Sequence, residues 1–331
     1  MSGRGYLTVG LLLLVGTLVA GAGRAGAFSD AGHHVVAVLA YERLTPAEQA
    51  ELQRLLAANP RFERDFAVPE SIAGDAAAAD RWRVGVAGTW PDVIRRTAEY
   101  DRPSWHYQLG ATLVVGDPAA SRVPATPGPL PPDADLATPD LHIAQAIALA
   151  EKVLADAGRP DADRAIAACW LIHLVGDSHQ PCHAGSLYTP RAFPDGDQGA
   201  NRIPLALGQN LHAFWDGLLG RRAEPGDVRR RVGEIRSDAA LMAAAEQAID
   251  QPADRDPLLW LAESRALSLE HVYTPEVLAA VSAVERGLAE AVPPVTLPEA
   301  SLTRAGRIGQ LRAAQAGARL ADALRRALAR E

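Results

Sequence analysis

The chain has 331 residues, of which 48% are hydrophobic, and its formal net charge at neutral pH is −7. This length and composition suffice for one large hydrophobic core or two modest ones. The acidic balance argues against nucleic-acid binding through a broad basic surface. A polyanionic substrate is still compatible with this charge if bound metal ions supply local positive charge.

The N-terminal segment has the pattern of a secretory signal peptide. Arg4 provides a positive charge, residues 7–20 form an apolar run too short for a membrane span, and residues 25–27 read Ala-Gly-Ala. We therefore predict that residues 1–27 are removed, that Phe28 becomes the N-terminus of a domain spanning residues 28–331, and that the protein is secreted or periplasmic. The alternative is an uncleaved anchor. Cleavage removes two arginines and no acid, which moves the net charge from −7 to −9.

After residue 27 the hydrophobic pattern predicts a mainly α-helical fold, a single multi-helix domain with little or no sheet. The capping sequence Thr45-Pro46-Ala47-Glu48 marks a second start inside the first helical stretch. Residues 109–115 are compatible with a short hairpin. Proline and glycine predict surface loops at residues 116–139 and 188–199, the second overhanging the site described next. Helical spacing covers residues 32–58, 139–157, 163–176, 203–220, 237–249, 257–270, 275–291 and 302–330.

The most informative segment reads His-Leu-Val-Gly-Asp-Ser-His-Gln-Pro-Cys-His over residues 173–183. His173 and Asp177 are four residues apart, and His212 and Asp216 repeat that spacing. Residues four apart share one face of a helix, so each pair can direct an imidazole and a carboxylate at the same point. Both pairs lie in strongly apolar stretches, where a charge needs a partner or a metal. The pattern therefore predicts a metal cluster in a cleft between helices, with His183 as a further ligand.

Three other residues have the chemistry of metal ligands but stand alone in the sequence. His33, Asp92 and His106 offer the imidazole and carboxylate groups that zinc binds, although such single residues are more often surface or capping residues. The two cysteines, Cys169 and Cys182, lie on either side of His173. An exported chain permits a disulfide between them, and two buried thiols fit the pattern equally well.

Five motifs, taken in chain order, resemble the three-zinc single-strand nucleases of the mung bean nuclease type. They are G-H near the predicted mature N-terminus, W-x-D-x-I-R at residues 90–95, W-H-Y at residues 105–107, H-x-x-G-D-x-H-Q-P-x-H at residues 173–183, and N-L-H-x-x-W-D at residues 210–216. The resemblance covers nearly the whole chain after residue 27. It includes Trp-Leu-Ala-Glu-Ser at residues 260–264 and the stretch at residues 316–321.

The resemblance implies three zinc ions per chain and assigns their ligands. One zinc would bind Asp92, His106, His173 and Asp177; a second would bind His183, His212 and Asp216; a third would bind His33, Asp177, and the free amine and carbonyl of Phe28. Arg95 matches an arginine that contacts phosphate, so Asp92, Asp177 and Arg95 are the implied catalytic residues. The remaining histidines, His34, His142, His179 and His271, are expected to have no catalytic role.

By the same resemblance, the protein would hydrolyse single-stranded DNA and RNA, and 3′-nucleotides, to 5′-phosphorylated products by metal-activated hydroxide attack. It would act as a monomer without an obligate protein partner. An aromatic ring is expected to stack on a substrate base. The candidates are Tyr107, Tyr188, Phe193 and Phe214.

Two other functions fit parts of the pattern. Zinc-dependent phospholipase C has similar spacings, but its last pair is H-x-x-x-E, whereas this chain has His212 and Asp216. A non-enzymatic zinc protein would need closed coordination, which the mixture of histidines and carboxylates argues against. The chain also departs from the nuclease pattern, with Phe28-Ser29 in place of Trp-Gly, no carboxylate in Gln108-Leu109-Gly110, and Gly199-Ala200-Asn201 in place of G-G-N.

Overall fold

The computed structural model describes residues 28–329, so the predicted signal peptide lies outside the described residues. Over this range the protein is mainly α-helical, as predicted. No helix within it combines the length and the apolar character that crossing a membrane requires. The α-helices are α1 (Asp30–Tyr41), α2 (Pro46–Ala57), α3 (Phe62–Asp65), α4 (Ala76–Val93), α5 (Ile143–Ala155), α6 (Asp161–Ser178), α7 (Leu211–Asp216), α8 (Pro225–Ser237), α9 (Ala239–Gln247), α10 (Pro257–Leu267), α11 (Pro275–Glu285) and α12 (Glu299–Leu328).

Helix α6 lies at the centre of the larger hydrophobic core. Every residue from Arg164 to Ser178 is buried, and the helix packs mainly against α4 and α5. Its first turn contains Asp161 and Asp163, whose negative charges interact favourably with the positive end of the helix dipole. The predicted central buried helix is thereby confirmed, and it holds His173 and Asp177 inside the protein.

The helical stretch predicted at residues 32–58 consists of two helices, and the second begins at the predicted capping sequence. The Thr45 hydroxyl accepts a hydrogen bond from the backbone N–H of Glu48, and the Glu48 carboxylate accepts one from the N–H of Thr45. This reciprocal cap starts α2 after the end of α1. Helix α1 then packs against α4 and α12, which brings its residue His33 into the core.

A second, smaller core cluster gathers around α7 and α11. Its members include Leu187, Trp215, Tyr273 and Ile308. The larger cluster contains α6, whereas the smaller one contains the apolar face of α7. The two predicted His-Asp pairs therefore come from helices that belong to different parts of the core.

The structure corrects two local predictions. The strand β1 (Ala111–Val114) pairs in parallel with β2 (Ser186–Tyr188), so the hairpin expected at residues 109–115 is wrong. Within residues 203–220, the α-helix covers only α7. The preceding residues instead form isolated bridges from Pro204 to Asn210 and from Leu205 to Val295. Pro204 has no backbone N–H to donate, and Gly208 has a φ of 77°, so a continuous helix cannot form there.

The loop after β2 is buried over part of its length. Tyr188, Phe193 and Asp197 are buried, and Gly199 is buried as well. The segment packs under α7 because its backbone and side chains bond to β2 and to the start of α7. It therefore supports the candidate site from within the protein.

Candidate metal centre

The structure brings all eight predicted side-chain ligands into three buried or half-buried groups. They come from α1, the end of α4, α6, α7, and two short 3₁₀ turns, Pro103–His106 and Pro181–His183. In each group, one potential ligand atom per residue lies within 4.8 Å of the others. The groups are His33, His173 and Asp177; Asp92, His106 and His173; and His183, His212 and Asp216.

The first group is centred on Asp177. His33 Nε2 lies 3.3 Å from Asp177 Oδ1, and His173 Nε2 lies 3.1 Å from Asp177 Oδ2. The two imidazole rings stack with their centroids 4.1 Å apart. A glycine makes this approach possible, since a Cβ at Gly176 would lie 2.9 Å from His33 Nδ1. Sequence reasoning quoted Gly176 in the motif but did not foresee this packing requirement.

The second group shares His173 with the first. His106 Nδ1 lies 2.8 Å from His173 Nε2 and 3.1 Å from Asp177 Oδ2. Asp92 belongs to the last turn of α4, directly after Pro91. Arg95 holds this carboxylate from the solvent side, with its Nη2 2.9 Å from Asp92 Oδ1. Asp177 thus contacts histidines of both groups.

The third group lies on α7 and the turn that carries His183. His212 Nε2 lies 3.5 Å from Asp216 Oδ2, and the ring of His183 lies 4.9 Å from that of His212. Gln180 donates a hydrogen bond of 2.7 Å to Asp216 Oδ1. This contact gives a supporting role to a residue that the sequence did not single out.

Backbone carbonyls orient three of the imidazoles. The Nδ1 atoms of His173, His183 and His212 each lie 2.6 Å from a carbonyl oxygen, those of Gly88, His106 and Gly199 respectively. A carbonyl can only accept, so Nδ1 carries the proton and Nε2 keeps its lone pair. This is the tautomer that a metal site requires.

Several nitrogen and oxygen atoms of the three groups have no hydrogen-bond partner among the described residues. They are His33 Nδ1 and Nε2, His106 Nε2, Asp177 Oδ1, His183 Nε2 and His212 Nε2. Buried polar atoms are usually hydrogen-bonded, and bare imidazole nitrogens beside carboxylates are a donor set that suits a divalent cation. These groups could hold metal ions.

The protonation states agree with that chemistry. Burial lowers the pKa of His106 to about 4, and burial together with the charge of His183 lowers the pKa of His212 to about 3. Burial opposes ionisation of Asp177, but the charge of His173 and hydrogen bonds from His106 and His173 hold its pKa well below the usual value. At neutral pH the site therefore offers neutral imidazoles at His106 and His212 and an ionised central carboxylate. At His173, burial favours the neutral ring, but the charges of Asp177 and Asp92 raise the pKa above its ordinary value.

Asp216 behaves differently from Asp177. Burial raises the pKa of Asp216 well above its ordinary value, and the hydrogen bond from Gln180 does not offset this effect. A cation bound at the third group would favour the ionised carboxylate. Binding there would therefore release a proton.

The candidate histidines outside the groups have structural roles. His179 turns toward α12, with its Nδ1 2.7 Å from the Val175 carbonyl and its Nε2 accepting from Arg319 Nη1 at 3.0 Å. His34 is buried beside Trp82, with their ring centroids 4.5 Å apart. His142 and His271 belong to none of the three groups.

The two cysteines are free, buried thiols. Cys169 lies in the larger core cluster, whereas Cys182 lies in the smaller one. The structure therefore favours the buried-thiol alternative over the disulfide.

Phe28 lies beside the first group. Its side chain is 1% exposed, and its ring meets the edge of the His33 ring at a centroid distance of 6.4 Å. Gly32 allows this contact, since a Cβ there would lie 2.7 Å from Phe28 Cβ. The residue at the predicted cleavage point thus packs against a candidate ligand.

Burial separates the four aromatic residues considered for base stacking. Tyr188 and Phe193 are each only 2% exposed, so neither presents a ring face to a substrate. Tyr107 and Phe214 are partly exposed, and Phe214 packs on the smaller core cluster. Tyr107 directly follows His106, which makes it the better-placed candidate.

The chain was compared with models of known protein families and with curated proteins. The family model for S1/P1 Nuclease matches residues 28–329. No curated protein matches the chain.

Proposed function

Because the chain belongs to the S1/P1 nuclease family, and is therefore a metal-dependent hydrolase acting on nucleic-acid esters, we propose that it is a secreted three-zinc nuclease. Its proposed substrates are single-stranded DNA, single-stranded RNA and 3′-nucleotides, and its proposed products carry 5′-phosphates. The observation that carries the proposal is Asp177, whose carboxylate lies within 3.3 Å of imidazole nitrogens of His33, His106 and His173.

The donor atoms suit zinc. The three groups contain histidines and carboxylates but no thiolate, and zinc accepts such mixed sets in catalytic sites. The proposed ligands are Asp92, His106, His173 and Asp177 for one ion, His183, His212 and Asp216 for a second, and His33, Asp177, and the amine and carbonyl of Phe28 for a third. Zinc, when bound, supplies Lewis acidity that activates water at neutral pH and offsets the charge of a phosphate.

The protein's own side chains position the substrate. The guanidinium of Arg95 is about one-third exposed while Asp92 holds it on one side. It can therefore donate to a phosphate oxygen and stabilise charge that develops there. The half-buried Tyr107 next to His106 would stack on a base, which requires that base to leave its neighbours in the strand. This requirement favours single strands over duplex.

The proposal is tested by assaying the zinc-loaded protein beginning at Phe28 on matched substrates. We expect single-stranded DNA and RNA to be cut much faster than a duplex of the same sequence, 3′-AMP to be hydrolysed, and the products to carry 5′-phosphates. A chelator-treated sample is the control. Hydrolysis of phosphatidylcholine without nuclease activity would indicate a phospholipase instead, and products ending in 3′-phosphate would contradict the proposed bond cleavage.

A further inference from the structure

A groove of about 1050 Å³ runs beside helix α7. Asn210 and Ala213, which flank His212 on that helix, line the groove, and Asn201 lines it as well. The Asn201 side chain accepts a hydrogen bond from Asn210 Nδ2 at 3.3 Å. Ala213 directly follows His212 in the chain, and Asn210 caps the helix that carries it, so the groove borders this helix.

Three exposed arginines give the groove a positive charge. Arg191, Arg202 and Arg221 line it, and none of them forms an ion pair with a carboxylate among residues 28–329. Some other exposed arginines of the described chain form ion pairs, as Arg54 and Arg230 do with neighbouring acids. Guanidinium groups without an ion-pair partner that line one groove are suited to binding phosphate, because each can donate two parallel hydrogen bonds to it.

The remaining contacts leave these charges available. The Arg202 guanidinium lies over the Phe193 ring, 5.1 Å from its centroid. The Arg221 side chain donates to the neutral amide oxygen of Gln209. These contacts place the guanidinium groups without neutralising them.

The acids near the groove do not cancel its charge. Glu290 is the one acid that lines it. The Glu285 carboxylate accepts from the backbone N–H groups of Arg191 and Ala192, and Asp195 is paired with Arg122. The lining residues thus carry three positive charges against one negative charge.

We propose that this groove binds the sugar–phosphate backbone of a single-stranded nucleic acid next to the bond that is cut. The inference rests on the proposed nuclease function and extends it from the scissile phosphate to the flanking nucleotides. A protein with a net charge of −7 repels a polyanion over most of its surface, so a local basic groove beside the metal centre is where a strand can lie. A 3′-nucleotide is too short to use it.

The test replaces the three arginines by glutamine, as Arg191→Gln, Arg202→Gln and Arg221→Gln in one protein. Binding of a phosphorothioate DNA strand of about twenty nucleotides to the zinc-loaded enzyme is followed by fluorescence anisotropy at several salt concentrations. Single strands lose about 0.7 in the salt slope per phosphate contact, so the slope should fall by about 2. The affinity near 0.1 M salt should fall by about ten- to a hundredfold. Turnover of 3′-AMP should not change.

Two control proteins make the result specific. A triple variant with Arg159→Gln, Arg229→Gln and Arg304→Gln removes the same charge from exposed positions outside the groove, and it should bind as the original protein does. The corresponding triple lysine variant of the groove should keep most of the salt slope. If the triple glutamine variant fails to fold, the single exposed change Arg221→Gln should still lower the slope by about 0.7.

An unchanged affinity and salt slope in the groove variants would overturn the proposal. Equal losses in the control triple would also overturn it, because the effect would then come from net charge. Failure of the proposed function would look different. The original protein would not cut an ordinary single strand, while the groove variants would still lose affinity for the phosphorothioate strand.

Discussion

Asp177 connects two of the metal groups through a single carboxylate. Both of its oxygens lie close to imidazoles of α1, α6 and the Pro103–His106 turn. In the proposed assignment it binds two ions, so no other side chain can replace its charge and geometry together. Its substitution should therefore have the largest effect of any single ligand.

We expect Asp177→Asn to abolish hydrolysis and to lower the bound zinc. The amide is uncharged, and it keeps only one oxygen for two proposed ions. Zinc content by mass spectrometry and turnover on single-stranded DNA check this. The half-buried Asp163→Asn, in the first turn of the same helix and outside the metal groups, is the control and should keep the zinc content and activity of the original protein. Full zinc content with more than about a tenth of the activity would contradict the bridging role.

Asp197 supports the third group from a distance. It is buried, it accepts hydrogen bonds from the Leu187 N–H and from the Tyr273 hydroxyl, and its loop supplies the Gly199 carbonyl that orients His212. Burial raises the pKa of Asp197 to about 6, above its ordinary 3.8. The folded protein therefore holds this proton in a pH range where the unfolded chain has released it.

This raised pKa predicts a pH dependence of stability. The contribution of Asp197 is fully present below about pH 3.8 and is lost as the pH rises through about 6. Relative to Asp197→Asn, which cannot ionise, the original protein should lose about 2 kcal/mol of unfolding free energy between about pH 4 and pH 7. Urea unfolding at both pH values measures this. The control is the exposed Asp195→Asn, and a constant difference between the original protein and Asp197→Asn would refute the prediction.

Helices α10 and α12 fix the segment that joins Asp177 to His183. Ser264 Oγ donates to the Ser178 carbonyl at 2.7 Å, and Arg312 Nε donates to the His179 carbonyl at 3.2 Å. Arg265 Nη2 donates to the Ala184 carbonyl at 2.9 Å. These bonds hold the backbone on both sides of His183, so two helices without ligands set the position of a ligand.

We predict that Arg312→Met destabilises the protein by about 3 kcal/mol, because it removes a buried guanidinium that pairs with the half-buried Glu263 and leaves two carbonyls unpaired. The zinc affinity should fall as well, since the segment before His183 loses an anchor. Chemical unfolding and a competitive zinc titration provide the two measurements. Arg304→Met, exposed on the same helix, should change neither quantity. Equal stability of the Arg312 variant would contradict the anchoring role.

The sequence correctly predicted the secondary-structure elements that are defined by a short-range residue pattern. The capping box of α2 and the apolar run of α6 are local signals, and both elements form as predicted. Helices α4 and α8 were not predicted. In α4, Gly85, Gly88 and Pro91 weaken the helical pattern, and tertiary packing against α1 and α6 overcomes that low propensity.

In the candidate site, too, the sequence predicted the contacts within one helix but not those between distant parts of the chain. The spacing within α6 and within α7 brings His173 to Asp177 and His212 to Asp216 without reference to the rest of the fold. The carbonyl partners of the imidazoles and the anchors on α10 and α12 come from residues far away in the chain. Backbone carbonyls carry no side-chain signal, so the sequence could not identify them. The parallel partner of β1 was missed for the same reason.

At the scale of the whole molecule, the start of the described chain packs against the candidate site. The Phe28 side chain is buried against His33, and the Ser29 N–H donates to the Asp216 carbonyl at 3.1 Å. Residues 28 and 29 thus contact one candidate ligand of the first group and one of the third. Any residues placed before Phe28 would convert its amine into an amide, which is a poor ligand.

We predict that a protein with additional residues before Phe28 binds about two zinc ions and turns over much more slowly, whereas proteolytic exposure of Phe28 restores the third ion and the activity. Metal analysis and the single-strand assay before and after proteolysis check this. A C-terminal tag of the same length is the control and should have no effect. Equal zinc content and turnover in extended and trimmed protein would remove the N-terminal amine from the mechanism.

The packing of α1 against α12 also determines when the fold around His33 can be completed during synthesis of the chain. A Cβ at Gly317 would lie 2.7 Å from the Leu39 Cβ, so the two helices touch at backbone distance. Ribosomes make α12 after all other helices described for this protein. In a nascent chain that lacks α12, α1 can pack against α4 but its α12-facing side stays uncovered. The packing around the candidate ligand His33 is therefore completed only after the last described helix of the chain has been made.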